Sequence, residues 1–123
     1  MDKKDLKQRT KRFSLEIIKL IELIPNTKVG YTIANQIIRS ATSVGANYRA
    51  ACRAKSNKDF LNKILIVEEE ADETLYWLEL LKEGNILDED ALDSITTECR
   101  ELVAIFTSAG KKVRHKINNK TDS

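Results

Sequence analysis

With 123 residues, 41% hydrophobic and 33% charged, the chain holds enough material for one domain with a real core and too little for two. A single proline and four glycines exclude a turn-rich β-sandwich and favour a few long helices. The formal net charge of +2 conceals two opposed blocks. Between Leu23 and Lys58 there is no acid, while Lys28, Arg39, Arg49, Arg53, Lys55 and Lys58 supply six cations. From Asp59 to Glu101 fourteen acids face only Lys63, Lys82 and Arg100. Such segregation serves either a polyanion-binding face or complementary faces between helices and subunits.

Along the chain, apolar residues at Leu6, Phe13, Ile17, Leu20, Ile21 and Ile24 recur at helical spacing, and Pro25 ends the first helix. Thr27 is placed to cap a second helix from about Lys28 to Lys55. Its core face carries Ala34, Ile37, Ala41, Val44, Tyr48 and Cys52, and if it is unbroken Lys28, Arg39, Arg49 and Arg53 share the opposite arc. Gly45 in mid-helix implies close approach of a neighbouring helix. Ser56-Asn57-Lys58-Asp59 reads as a capping start for a third helix with Phe60, Ile64, Val67, Ala71 and Leu78 inward. Gly84 is its expected C-cap, with Ile86 packing back. Asp88 then caps a fourth helix whose stripe is Leu92, Ile95, Cys99, Leu102, Val103, Phe106 and Val113. Short loops between four long helices predict an all-α, up-down-up-down antiparallel four-helix bundle over residues 1–117, with a short polar tail over 118–123.

The third helix has more apolar surface than one core needs. Leu61, Leu65, Ile66, Tyr76, Trp77 and Leu80 lie off its core line, and we take Leu61, Leu65, Tyr76 and Trp77 as a candidate oligomer interface. The basic residues Lys28, Arg39, Arg49, Arg53 and Lys55 are the candidate nucleic-acid-binding set, since guanidinium groups on one helical face suit phosphates. The competing reading pairs those arginines with downstream acids such as Asp72, Glu73 or Glu79, within or between subunits.

Chemistry of other kinds lacks its residues. A di-iron site needs Glu-x-x-His on two helices, and the one histidine, His115, stands in a basic tail, so no metal or other cofactor is expected. Cys52 and Cys99 fall on core faces with no Cys-x-x-Cys spacing, and two reduced thiols are expected. Neither a catalytic triad nor a phosphate loop is present, so no enzymatic activity is expected. The charged N-terminal stretch and the lack of an apolar run of about 18 residues point to a cytoplasmic protein with no membrane partner.

The residues Gln36-Ile-Ile-Arg39-Ser40, then Ser43-Val-Gly-Ala-Asn47-Tyr48-Arg49, Arg53, Ser56 and Lys58-Asp59-Phe60 resemble the signature of the bacterial four-helix bundle protein family. That family was named for proteins encoded by intervening sequences in 23S ribosomal RNA genes. The run Glu70-Ala-Asp-Glu-Thr-Leu-Tyr-Trp-Leu-Glu79 is similar to one of its subgroups, and the likeness extends from about Phe13 to Phe106. The resemblance implies a homopentamer without established enzymatic activity. It also implies kinship with the accessory variability protein of diversity-generating retroelements, which works with a reverse transcriptase and nucleic acid. Gln36, Arg39, Ser40, Ser43, Asn47 and Arg53 match the family pattern, whereas Ala50 stands where the family usually has a glutamate. The reading that follows is a non-enzymatic oligomeric adaptor. Its expected partners are further copies of itself, RNA or DNA, and a nucleic-acid enzyme; the rival is a structural or protein-interaction module whose arginines form subunit salt bridges.

Overall fold

The computed structural model describes residues 1–119. The four predicted helices are all present: α1 (Lys3–Ile21), α2 (Lys28–Ala51), α3 (Asn57–Glu83) and α4 (Glu89–Asn119). The polar tail expected over 118–123 lies mainly outside the described residues, and Asn118 and Asn119 instead complete α4. Contacts run α1 to α2, α2 to α3, α3 to α4, and from α4 back to α1, with α1 touching α4 least.

Each start is set by a side chain that satisfies an orphan backbone donor. Asp2 accepts from the amide of Asp5, Thr27 from Gly30, Ser56 from Asp59 and Asp88 from Ala91. The end of α3 falls at the expected glycine. Gly84 is the C-cap, but the left-handed residue is Asn85 at φ 55°, and Gly84 has φ −82°. The amide of Ile86 donates to Leu81 and that of Asn85 to Lys82, the double closure that an asparagine can support in place of glycine.

The helix α2 stops at Ala51, four residues before the expected Lys55. Amides of Arg53 and Ala54 turn to carbonyls three residues back, tightening the chain so that Ser56 can take the extended conformation its capping role requires (ψ 165°). Arg53 and Lys55 therefore sit in the turn, and the unbroken basic arc is shortened to Lys28, Arg39 and Arg49.

The core is formed by the predicted stripes. Phe13, Ile17, Ile37, Ala41, Val44, Ile64, Val67, Ala71, Leu78, Leu92, Leu102 and Phe106 are all essentially excluded from water. Each large member contributes about 1.5–3 kcal/mol relative to exposure. Phe60, Ala34, Cys52, Val103 and Val113 are only half-buried. Tyr48 lies against Phe106 with ring centroids 5.4 Å apart, so its ring is committed to the interior. Gly45 marks where α1 comes close, since a Cβ there would meet the Thr10 carbonyl oxygen at 3.4 Å and Ser14 Oγ at 3.6 Å. A buried polar pair also joins α2 to α3: Ser40 Oγ and Thr74 Oγ1 are 2.7 Å apart and neither residue is exposed.

Candidate nucleic-acid interface

The five candidate cations do not form one surface. Lys28 opens α2 and lies roughly 30 Å along the helix from Arg49. Arg39, halfway between, is consumed by α3: Nη1 donates to Glu70 Oε2 at 3.0 Å and Nη2 to Glu73. Glu73 also accepts from Trp77 Nε1 at 3.0 Å. These donors, Trp77 first and then Arg39, hold the Glu73 carboxyl below the usual carboxylate range, and Glu73 in turn raises the Arg39 guanidinium. For Arg39 the pairing with Glu73 matches the alternative raised from sequence. Glu70 joins it, a partner the acidic run alone did not single out.

Arg49 closes the last turn of α2 and lines a cavity of about 380 Å³ between α1 and α2 with Lys7, Lys11 and Gly45. Arg53 and Lys55 occupy the turn that follows. Among the described residues, Lys28, Arg49, Arg53 and Lys55 enter no salt bridge. Lys55 meets cations from far along the chain. Together with Lys3 at the start of α1 and Lys116 near the end of α4, it lines a cavity of about 510 Å³. The start of α1, the α2–α3 turn and the end of α4 thus share one end of the molecule. Segments 1–12, 49–63 and 111–116, which run to this end, carry fifteen of the 21 Lys and Arg and three of the 19 Asp and Glu. At the opposite end Glu79, Glu83 and Asp93 gather from α3 and α4 around Lys82 and Arg100. The near-neutral chain is therefore a strongly dipolar molecule with a basic pole.

One cation of the N-terminal run is withdrawn from that pole. Arg9 holds Glu98 with two donors, Nε at 2.7 Å and Nη2 at 2.6 Å, and Glu101 at 2.8 Å. The pairing with Glu98 outweighs its partial burial and raises the guanidinium further above its ordinary value. This clamp joins α1 to α4 beside an open groove of about 600 Å³ whose walls include Phe13, Leu20, Leu23 and Ile95. No sequence pattern marked it, because the partners stand 89 and 92 positions apart.

The candidate interface on α3 is smaller than its composition implies. Leu61, Leu65 and Trp77 are half-buried, Trp77 and Leu80 pack against the core, and Leu65 is close to Gly110 of α4. Tyr76 stays 54% exposed, and Ile66, about 15 Å earlier on the helix, is also exposed. The structure adds exposed apolar residues that the sequence reading passed over: Leu15 and Ile18 on α1, and Leu23, Val29 and Tyr31 around the α1–α2 turn. For Leu15 and Ile18 the sequence signal is a three-residue spacing beside the Phe13–Ile17 stripe.

No three His, Cys, Asp or Glu side chains converge in metal-binding geometry among the described residues. No described helix is long and apolar enough to cross a membrane.

Fold and surface define an all-α, four-helix protein with opposed charged ends. The chain belongs to the 23S rRNA-intervening sequence protein family, whose model matches residues 2–108. It is also similar to a crystal structure from Bacteroides thetaiotaomicron, a protein of unknown function from the S23 ribosomal protein family. The two are 36% identical with a TM-score of 0.79, over 85% of this chain and 97% of that one. No curated protein matches it.

Proposed function

We propose that this protein is a non-enzymatic, cytoplasmic adaptor that binds RNA or DNA without sequence preference through its basic pole. The observation that carries the reading is the convergence of Lys3, Lys55 and Lys116 on one cavity, with Arg49 and Arg53, which enter no salt bridge among the described residues, in the same part of the molecule. A cationic end with few carboxylates attracts phosphates by counterion release, which gives affinity without base readout. The protomer is read as an up-down-up-down antiparallel bundle, supported by the short connections and by the closed circuit of helix contacts.

The rival reading makes the arginines subunit salt bridges, but among the described residues two arginines are spent within the protomer. Arg9 and Arg39 each hold two carboxylates of their own chain. The test is RNA binding followed by fluorescence polarisation at several salt concentrations. Arg49→Gln with Arg53→Gln should flatten the log–log salt slope by about two, while Arg39→Gln leaves it unchanged. No binding by the parent at low salt, or an equal effect of Arg39→Gln, would sink the assignment.

Assembly into the homopentamer that the family resemblance implies has separate support. Exposed apolar residues lie on α1 (Leu15, Ile18) and on α3 (Ile66, Tyr76), two helices whose backbones do not pack closely against each other within a protomer. Two different patches on separate helices suit head-to-tail contacts that close into a ring better than a self-complementary dimer. Light scattering should show an oligomer of the 14.0 kDa chain, dissociated by Tyr76→Asp with helicity retained. A monomer at micromolar concentration would refute it. Tyr76 is a better probe than Leu65, whose half-burial beside α4 would confuse interface loss with unfolding.

A further inference from the structure

The lysine-lined cavity has a shape that the surrounding basic surface lacks. Lys3, Lys55 and Lys116 come from three different segments and surround a space of about 510 Å³. Between them the lining is small or polar, with Ala51, Ala54, Ser56 and Asn57, and Phe60 and Val113 form the apolar side. None of the three lysines enters a salt bridge among the described residues. Among the described residues, two neighbouring carboxylates are engaged elsewhere: Asp2 caps α1, and Asp59 pairs with Lys63 at 3.6 Å. Lys3 Nζ stands 5.2 Å from the centre of the Phe60 ring, which fixes one ammonium group at the edge of the cavity.

Three like charges held around one space repel one another, and a multiply charged anion between them relieves that repulsion. An internal phosphodiester carries one charge on a continuous strand and passes over such a cavity. A terminal phosphate carries nearly two charges, has three free oxygens and ends the strand, so it can enter. We infer that the cavity formed by Lys3, Lys55 and Lys116 binds a terminal phosphate or pyrophosphate group. Its nucleic-acid form is the 5′-phosphorylated end of a strand, with Phe60 against the first sugar or base. That form rests on the nucleic-acid reading above and adds to it: the pole holds strand ends more tightly than strand interiors. Free pyrophosphate offers the same chemistry from another source.

The experiment compares one short RNA, labelled at its 3′ end, with a 5′-phosphate and with a 5′-hydroxyl. Inorganic pyrophosphate is measured separately by calorimetry. The full-length protein is used, with a Lys3→Gln/Lys55→Gln/Lys116→Gln variant, and with Lys19→Gln as a control from the α1–α4 groove. The phosphorylated strand should bind roughly tenfold tighter than the hydroxyl strand, the scale of one charge-assisted contact. The triple variant should lose that preference and Lys19→Gln should keep it, with circular dichroism unchanged in both. Equal, salt-sensitive binding of the two strands would overturn the inference and leave the nucleic-acid reading standing. If neither strand binds, that reading fails, and pyrophosphate then decides this one. Binding to the parent and not to the triple variant supports a free-anion site, and binding to neither overturns it.

Discussion

The hydroxyl pair between α2 and α3 permits a worked test of how this core is held together. Ser40 and Thr74 are fully buried with their oxygens 2.7 Å apart. Thr74 Oγ1 is also 2.8 Å from the Glu70 carbonyl, so it donates there while Ser40 donates to Thr74. Ser40 has only one other acceptor, the Ile37 carbonyl at 3.4 Å. Ser40→Ala removes one hydrogen bond, about 1 kcal/mol, and regains roughly 0.5 kcal/mol because alanine is the better helix former. Thr74→Val keeps the shape but leaves the Ser40 hydroxyl only the long contact to the Ile37 carbonyl in a dry site, which costs about 1–3 kcal/mol. In the double variant nothing is stranded, so the coupling energy should be about 1 kcal/mol with the pair less damaging than the sum. Urea unfolding followed by Trp77 emission and circular dichroism, at one protein concentration, measures all four species. Additive losses, or Ser40→Ala costing more than Thr74→Val, would refute the donor assignment.

Glycine substitutions should split by the space around them. Gly110→Ala should stabilise by about 0.5–1 kcal/mol, since its Cβ would meet Ile64 and Leu65 at 3.8 and 3.9 Å, whereas Gly30→Ala should destabilise by about 1–3 kcal/mol because its Cβ would lie 2.2 Å from the Pro25 carbonyl oxygen; thermal melts decide both. Glu73 should report on pH through the only tryptophan: a carboxyl lowered in the folded state stabilises above its unfolded value and loses that contribution as pH falls through its folded one. Trp77 emission should therefore change below the ordinary glutamate range, at a midpoint that Arg39→Gln moves upward. The two thiols should react unequally, because burial pushes Cys99 up to about 12 while Cys52 is only half-buried. Mass spectrometry after mild alkylation should find Cys52 modified first and Cys99 only on unfolding, and equal rates would contradict it.

Local signals in this chain carried far, because capping and helical periodicity act over three or four residues. Thr27, Ser56 and Asp88 cap as read, and the inward stripes from Phe13 to Phe106 form the core. Readings failed where two segments compete for one residue. The C-terminal limit of α2 was set by the needs of Ser56 in the next helix. Trp77, a candidate interface residue, is partly covered within its own protomer. Its partner, Glu73, is one helical turn away on the same face, and that hydrogen bond with packing on the core hides half of it. The surface around Leu15 and Ile18 was hidden for the opposite reason. Nothing local distinguishes an exposed leucine beside a core stripe from one that belongs to it.

The charge blocks show most clearly what a linear pattern leaves open. An acid-free stretch followed by an acidic one is compatible with complete neutralisation across the α2–α3 contact or with none. Axial position decides between them. The acids Glu68 to Glu73 lie in the middle of α3, where they reach Arg39 in α2 and Thr107 in α4. Toward the start of α3 the carboxylates run out, leaving Asp59 with Lys63, and Arg49, Arg53 and Lys55 enter no salt bridge among the described residues. The same few residues of α1 are divided in the same way. Arg9 reaches Glu98 and Glu101, while Lys3, one and a half turns earlier, faces Lys55 and Lys116 across a cavity. Folding thus sorts cations of one composition into clamps at mid-height and a concentrated field at one end. Only the second group retains charge to offer a phosphate.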